Sequence, residues 1–157
     1  MGFGYGVWLI PTKHLFKTSH IAHLTITCFM NKNDAISLFH EISCKLGQNF
    51  HLNLIKKSKI YDKRTYHNEK ELLLAWGYDC VKPLIWDILS SICKNYTCNF
   101  SYFPHISMEY SYNRDDFIPF DCNIDSIDMK LCVADINDDN PNKWKILELN
   151  HNINNIF

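Results

Sequence analysis

The stretch HIAHLTITCF, residues 20–29, decides how this sequence folds, because apolar and polar residues alternate along it from Ala22 to Thr27. Leu24 and Ile26 fall on one face of an extended chain, and this alternation predicts a half-buried strand with one polar face. That face carries the intervening positions His23, Thr25 and Thr27. A histidine and a hydroxyl two residues apart therefore lie side by side on it.

The same arrangement recurs in the segment PHISM, residues 104–108. The extended pattern over residues 99–112 places His105 and Ser107 on one face. The opposite face takes Ile106, Met108 and Tyr110. The sequence thus predicts two strands that present the same histidine and hydroxyl pair.

The segments around these two strands predict an α+β domain. Apolar residues at helical spacing predict a helix over 33–46 that ends at Gly47, and a second helix that begins after an N-cap at Asp79 and ends near residue 95. A charged turn or mobile loop is expected at 62–70. Further strands are predicted over residues 3–10, 50–60, 71–78, 124–136 and 143–149.

The composition is that of one packed and nearly neutral domain covering residues 1–157. Hydrophobic residues make up 46% of the chain and charged residues 21%. Sixteen Lys and Arg against seventeen Asp and Glu give a net charge of -1. The sequence therefore lacks the cationic field that binds long duplex nucleic acid, whereas a small nucleotide or short oligonucleotide ligand stays open.

The cysteines and the first residues bear on the compartment. Seven Cys residues form no CxxC pair, and their odd number argues against a complete disulfide framework, so we expect reduced thiols. The apolar start, Met1 to Ile10, has no positively charged region, and Pro11 ends it short of the about 20 residues that a spanning helix needs. We expect a cytoplasmic monomer without a membrane anchor.

Two imidazoles and two hydroxyls that meet in one cleft can carry out in-line attack at phosphorus. A neutral histidine takes a proton from the attacking hydroxyl or water, and a protonated histidine gives one to the leaving oxygen. Thr25 and Ser107 would donate hydrogen bonds to the phosphate oxygens. This chemistry requires His23 and His105 to face across one open cleft, and we expect that arrangement.

These residues resemble the signature of the two-histidine (2H) phosphoesterases, which is a pair of His-x-Thr/Ser motifs, commonly with a proline before one histidine, as at Pro104. The first motif departs from it with Ala22 in place of proline. The resemblance implies a bilobal, pseudo-symmetric fold in which antiparallel sheets line a central cleft and helices cover the outer faces. It also implies hydrolysis or transesterification of 2',3'-cyclic nucleotides, 2'-5' linkages, cyclic dinucleotides or RNA ends, without a metal or other cofactor.

Three further expectations concern the surroundings of the cleft. A nucleobase beside the reacting phosphate would stack on an aromatic ring, for which the candidates are Tyr5, Trp8, Phe103 and Tyr112. We expect no metal site, because His20 and His23 point to opposite faces of a strand. The alternative function is a noncatalytic nucleotide- or RNA-binding module on the same fold.

Overall fold

The structure, a computed structural model, describes residues 3–13, 18, 20–63 and 73–149. Within them the chain forms eight strands and two α-helices, which confirms the predicted α+β class and its two helices. The segment predicted as one strand over 99–112 forms two strands. The strands are β1 (Tyr5–Pro11), β2 (His23–Met30), β3 (Asn49–Asp62), β4 (Leu74–Cys80), β5 (Asn99–Phe100), β6 (His105–Ser111), β7 (Ser126–Asp135) and β8 (Lys145–Ile146). The helices are α1 (Lys32–Leu46) and α2 (Ile85–Cys93), with short 3-10 helices at Arg114–Asp116 and Pro141–Lys143. Most of the charged turn predicted at 62–70 lies outside the described residues.

The strands form one antiparallel sheet whose pairings close on themselves. Its order is β1-β2-β6-β4-β3-β7, and β7 also pairs with β1. β5 pairs with β2, and β8 pairs with β7. The two strands that carry the repeated motif, β2 and β6, are therefore direct neighbours.

The two faces of the sheet differ in what covers them. Leu24 and Ile26 of β2 and Met108 of β6 pack into the main core, which also contains the buried residues of both helices. Full burial of each such side chain contributes about 1.5–3 kcal/mol to stability. Trp8 lies on the opposite face, where it forms a second cluster with Trp144. The helices thus cover the face that points away from the polar residues of the motifs.

The first helix matches its prediction closely, and the second begins later than predicted. Asn31 caps α1 by accepting a hydrogen bond from the backbone of Asp34 at 2.8 Å, and Gly47 ends it with a φ of 84°. Asp79 is not the N-cap of α2, because it lies in β4 and pairs with His105. Within the described chain, neither helix combines the length and apolar character needed to cross a membrane.

A bulge in β6 changes which residues face the site. Glu109 pairs with Trp76, and Ser107 pairs with the adjacent Gly77, so Met108 is an extra residue in β6. Tyr110 therefore lies on the same side as Ser107, and the strict alternation predicted for this strand is wrong beyond Ser107. The strands also approach closely here, since a Cβ on Gly77 would lie 1.8 Å from a backbone oxygen of β6.

A second bulge changes the end of β2 in the same way. Trp8 pairs with Thr25 and Val7 pairs with Thr27, which makes Ile26 the extra residue. Thr27 thus lies opposite a core residue and is 0% exposed, although alternation predicts it on the polar face. Cys28, and not Thr27, therefore lies on the same face of the sheet as His23 and Thr25, where it lines a cavity.

Candidate active site

The register of β2 and β6 brings the two motifs side by side. His23 pairs with Ser107, and Leu24 pairs with Ile106, in an antiparallel arrangement. The histidine of the first motif therefore lies opposite the hydroxyl residue of the second. This confirms the prediction that the two motif strands lie close together. The repetition in the sequence thus becomes a local two-fold repetition in the sheet.

The two imidazoles are held by the same backbone contact. Nδ1 of His23 lies 2.7 Å from the carbonyl oxygen of Ile21, and Nδ1 of His105 lies 3.1 Å from that of Phe103. A carbonyl oxygen can only accept, so both Nδ1 atoms carry the hydrogen and donate it. In each neutral ring this leaves Nε2 as the acceptor.

His23 lies beside two aromatic rings. Its imidazole stacks on Trp8 with ring centroids 3.6 Å apart, and the Tyr110 ring lies nearly parallel to it at a centroid distance of 5.9 Å. The Tyr110 hydroxyl donates to Nε2 of His23 at 3.0 Å. The side chain is only 1% exposed, and burial lowers the pKa of His23 to about 3. The expectation that this imidazole faces open water is therefore wrong.

His105 lies in a half-buried position with a cation beside it. Its ring stacks on Tyr61 at a centroid distance of 4.2 Å, and the Tyr61 hydroxyl donates to Asp79 at 2.7 Å. The ammonium group of Lys63 is hydrogen bonded to Nε2 of His105. Burial and the charge of Lys63 lower the pKa of His105 to about 4. His105 is thus a neutral imidazole that accepts from a lysine.

A cavity of about 200 Å³ connects these groups. Both histidines and Thr25 line it, whereas Ser107 does not; Ser107 is 2% exposed and is hydrogen bonded to the Tyr110 hydroxyl. The wall is mostly aromatic and apolar, and Lys63 carries the only Lys or Arg charge among the described lining residues. The described part of the wall contains no carboxylate. A small anion with an aromatic portion matches this wall in charge and polarity.

The four candidate stacking residues separate into two groups. Trp8 lines the cavity, but its ring face already packs on His23. The other three do not line it: Tyr5 packs on the main core, Phe103 is 84% exposed, and Tyr112 lines a different surface depression. The aromatic rings that the structure adds to the cavity wall are Phe3, Phe29, Phe100, Tyr110 and Trp144.

Sequence reasoning missed Lys63 and Tyr110, the two residues that contact the Nε2 atoms. Lys63 belongs to the charged segment that resembles a solvated turn. Strict alternation places Tyr110 on the face opposite His105 and Ser107, and only the bulge in β6 brings it to their side. A signal for Lys63 did exist, because it directly follows the alternating pattern of β3 and so remains at the sheet.

Comparison with known proteins finds no matching family model and no matching curated protein. In the described ranges, no group of three or more His, Cys, Asp or Glu side chains is arranged to hold a metal ion. All seven cysteines are free thiols.

Proposed function

We propose that this protein is a metal-independent phosphodiesterase that cleaves a small nucleotide or a short oligonucleotide, on the bilobal fold of the 2H phosphoesterases. The observation that carries the proposal is the pairing of His23 with Ser107, which sets two His-x-Thr/Ser motifs side by side beside one cavity. A single motif of this kind has little meaning, but two on neighbouring strands are what two-histidine catalysis needs.

The identical Nδ1 contacts support a chemical role for the imidazoles. A backbone acceptor at Nδ1 fixes the tautomer and the ring orientation, and leaves Nε2 of each ring as an unprotonated acceptor. General base catalysis requires such a neutral nitrogen within reach of the proton it removes. His23 and His105 both provide the neutral nitrogen that this requires, through the same hydrogen bond from Nδ1 to a backbone carbonyl.

The reaction we propose is displacement at phosphorus. The attacking water or ribose hydroxyl forms the new bond to phosphorus, and its proton passes to Nε2 of His23 through the Tyr110 hydroxyl that already donates to this nitrogen. The bond to the leaving oxygen breaks, and this oxygen takes a proton from the His105 side of the cavity. Thr25 donates to a phosphate oxygen, and Ser107 acts by orienting Tyr110.

The cavity wall supports a nucleotide as the ligand. Its aromatic rings offer stacking surfaces for a nucleobase, and its cation favours a phosphate. About 200 Å³ is less than the roughly 300–1,000 Å³ of pockets that enclose drug-sized ligands. One nucleotide, free or at the end of a short chain, therefore suits it better than a longer segment.

One observation favours a second candidate, a noncatalytic nucleotide-binding module. His23 is 1% exposed, and both Nε2 atoms already have protein donors. In a pure binding module the two imidazoles would serve only to hold the cavity wall in place. Binding without turnover is the result that this candidate predicts.

The test is a product analysis with a panel of 2',3'-cyclic mononucleotides, 2'-5' and 3'-5' oligoadenylates, and cyclic dinucleotides. We expect turnover of at least one class, at an unchanged rate in EDTA. His105→Ala should lower kcat/KM by about 10²–10⁴-fold. The control is His51→Ala, because His51 is exposed and bonded to Asp128 away from the cavity. Binding of a panel member without turnover would replace the proposal with the binding module.

A further inference from the structure

The hydrogen bonds of the two imidazoles create a problem for catalysis by histidines alone. Nδ1 of each ring donates to a backbone carbonyl, and Nε2 of each ring faces a donor, the Tyr110 hydroxyl in one case and the Lys63 ammonium in the other. The Lys63 ammonium cannot accept a hydrogen bond, so His105 cannot be protonated while this contact stays in place, whereas the Tyr110 hydroxyl can also accept and lets His23 take up a proton. His105 therefore does not supply the proton for the leaving oxygen, and the acid must be another group.

Lys63 is the group at the cavity that carries an available proton. Its ammonium donates to Nε2 of His105 and lies 5.6 Å from the centroid of the Tyr61 ring, which in turn stacks on His105. Two aromatic rings thus hold the ammonium at the wall. We propose that Lys63 is the general acid of the phosphodiesterase, and that His105 is the residue that positions its ammonium group beside the leaving oxygen.

The inference rests on the proposed phosphodiesterase activity and changes the role of one histidine. As the bond between phosphorus and the leaving ribose oxygen breaks, the electron pair stays on that oxygen, which takes a proton from Nζ of Lys63. Lys63 becomes a neutral amine that keeps its hydrogen bond to His105. The nucleophile's proton resides on His23, and exchange with solvent returns both groups to their starting states.

The surroundings of Lys63 suit an acid that works near neutral pH. Among the described residues, the titratable groups that face it are His105, His23, Cys28 and Tyr61. Burial lowers the pKa of Lys63 to about 8, whereas an ordinary lysine titrates near 10.4 and is a weaker acid. A general acid is most effective when its pKa lies near the working pH.

Two substrates that differ in the leaving group separate proton donation from phosphate binding. The 2'-5' linked diadenosine monophosphate expels a ribose hydroxyl, which needs a proton. The 4-nitrophenyl ester of adenosine 2'-phosphate is attacked at the same phosphorus but expels 4-nitrophenolate, which leaves without one. Lys63→Met should lower kcat/KM by about 10²–10⁴-fold on the first substrate and by less than about tenfold on the second.

Two variants complete the experiment. Lys63→Arg keeps the charge but donates its proton poorly, so it should show the same contrast between the two substrates. Lys56→Met is the control, since Lys56 pairs with Asp125 on the surface. In the wild-type protein, the alkaline limb of kcat/KM should have a pKa of about 8 on any panel member that is cleaved, and Lys63→Arg should abolish that limb.

The outcomes are distinguishable. Equal losses on both substrates would show that Lys63 only binds phosphate and would overturn its role as the acid. Normal turnover by Lys63→Met, with folding confirmed by circular dichroism, would do the same. A wild-type protein that cleaves no member of the panel would instead overturn the proposed phosphodiesterase, and the inference about Lys63 with it.

Discussion

The buried, neutral state of His23 predicts a loss of stability in acid that can be calculated. In the unfolded chain an imidazole takes up a proton below a pH of about 6.5, whereas folded His23 does so only below about 3. Between these values the unfolded state binds more protons, so the free energy of unfolding falls as the pH falls. At pH 4.5, two pH units below 6.5, the loss from His23 is about 2.7 kcal/mol, at 1.36 kcal/mol per unit.

Urea unfolding at pH 7.0 and pH 4.5 measures this loss, and variants isolate the part that belongs to His23. His23→Asn and His23→Gln remove the titrating group, so each should lose about 2.7 kcal/mol less than the wild-type protein over this interval. His51→Asn, which removes an exposed imidazole, is the matched control. Equal pH dependence in the wild-type protein and both His23 variants would refute the argument, because it would mean that the folded imidazole takes up protons freely.

The remaining predictions concern activity and packing. The imidazoles of His23 and His105 are both unprotonated above a pH of about 4, so kcat/KM on a cleaved panel member should be undiminished at pH 5.5. An ordinary histidine that acts as a base would already be protonated at that pH. A tenfold fall in kcat/KM by about pH 5.5 would contradict this prediction. Tyr110→Phe should leave Nε2 of His23 unpaired and cost about 1–3 kcal/mol of unfolding free energy in urea, and an unchanged midpoint would show that this hydrogen bond is absent. Gly77→Ala should destabilise the protein by about 1–3 kcal/mol or more, because the added Cβ would overlap the backbone of β6. Ala75→Gly on the same strand serves as a comparison for the effect of one methyl group.

Much of the fold could be predicted because the local signals agree with the tertiary structure. The helical spacing over residues 33–46 and the glycine at 47 match α1 almost residue for residue. The second helix shows the limit of such signals. Asp79 has the chemistry of an N-cap, but pairing with β6 extends β4 to Cys80 and takes Asp79 into the sheet. Long-range strand pairing decided this boundary, and a local pattern cannot report it.

The candidate site could be predicted only as far as the strands keep strict alternation. His23, Thr25, His105 and Ser107 all precede or adjoin the bulges, and the period of two places them correctly on the site face. Beyond each bulge the period shifts by one residue, which brings Cys28 and Tyr110 to the cavity side. A bulge depends on how two strands meet, so neither residue's position follows from its own sequence neighbourhood.

The same bulge in β6 ties the fold to the chemistry that we propose. If β6 kept strict alternation through Met108 with no bulge, Tyr110 would point into the main core with Ile106, and Nε2 of His23 would lose the hydroxyl that donates to it. The close approach of β4 that accompanies the bulge requires the absence of a side chain at Gly77. A glycine with no chemistry of its own is therefore needed for the environment of the buried base. The hydrogen-bonding state of His23 follows from backbone geometry on a strand that His23 does not belong to.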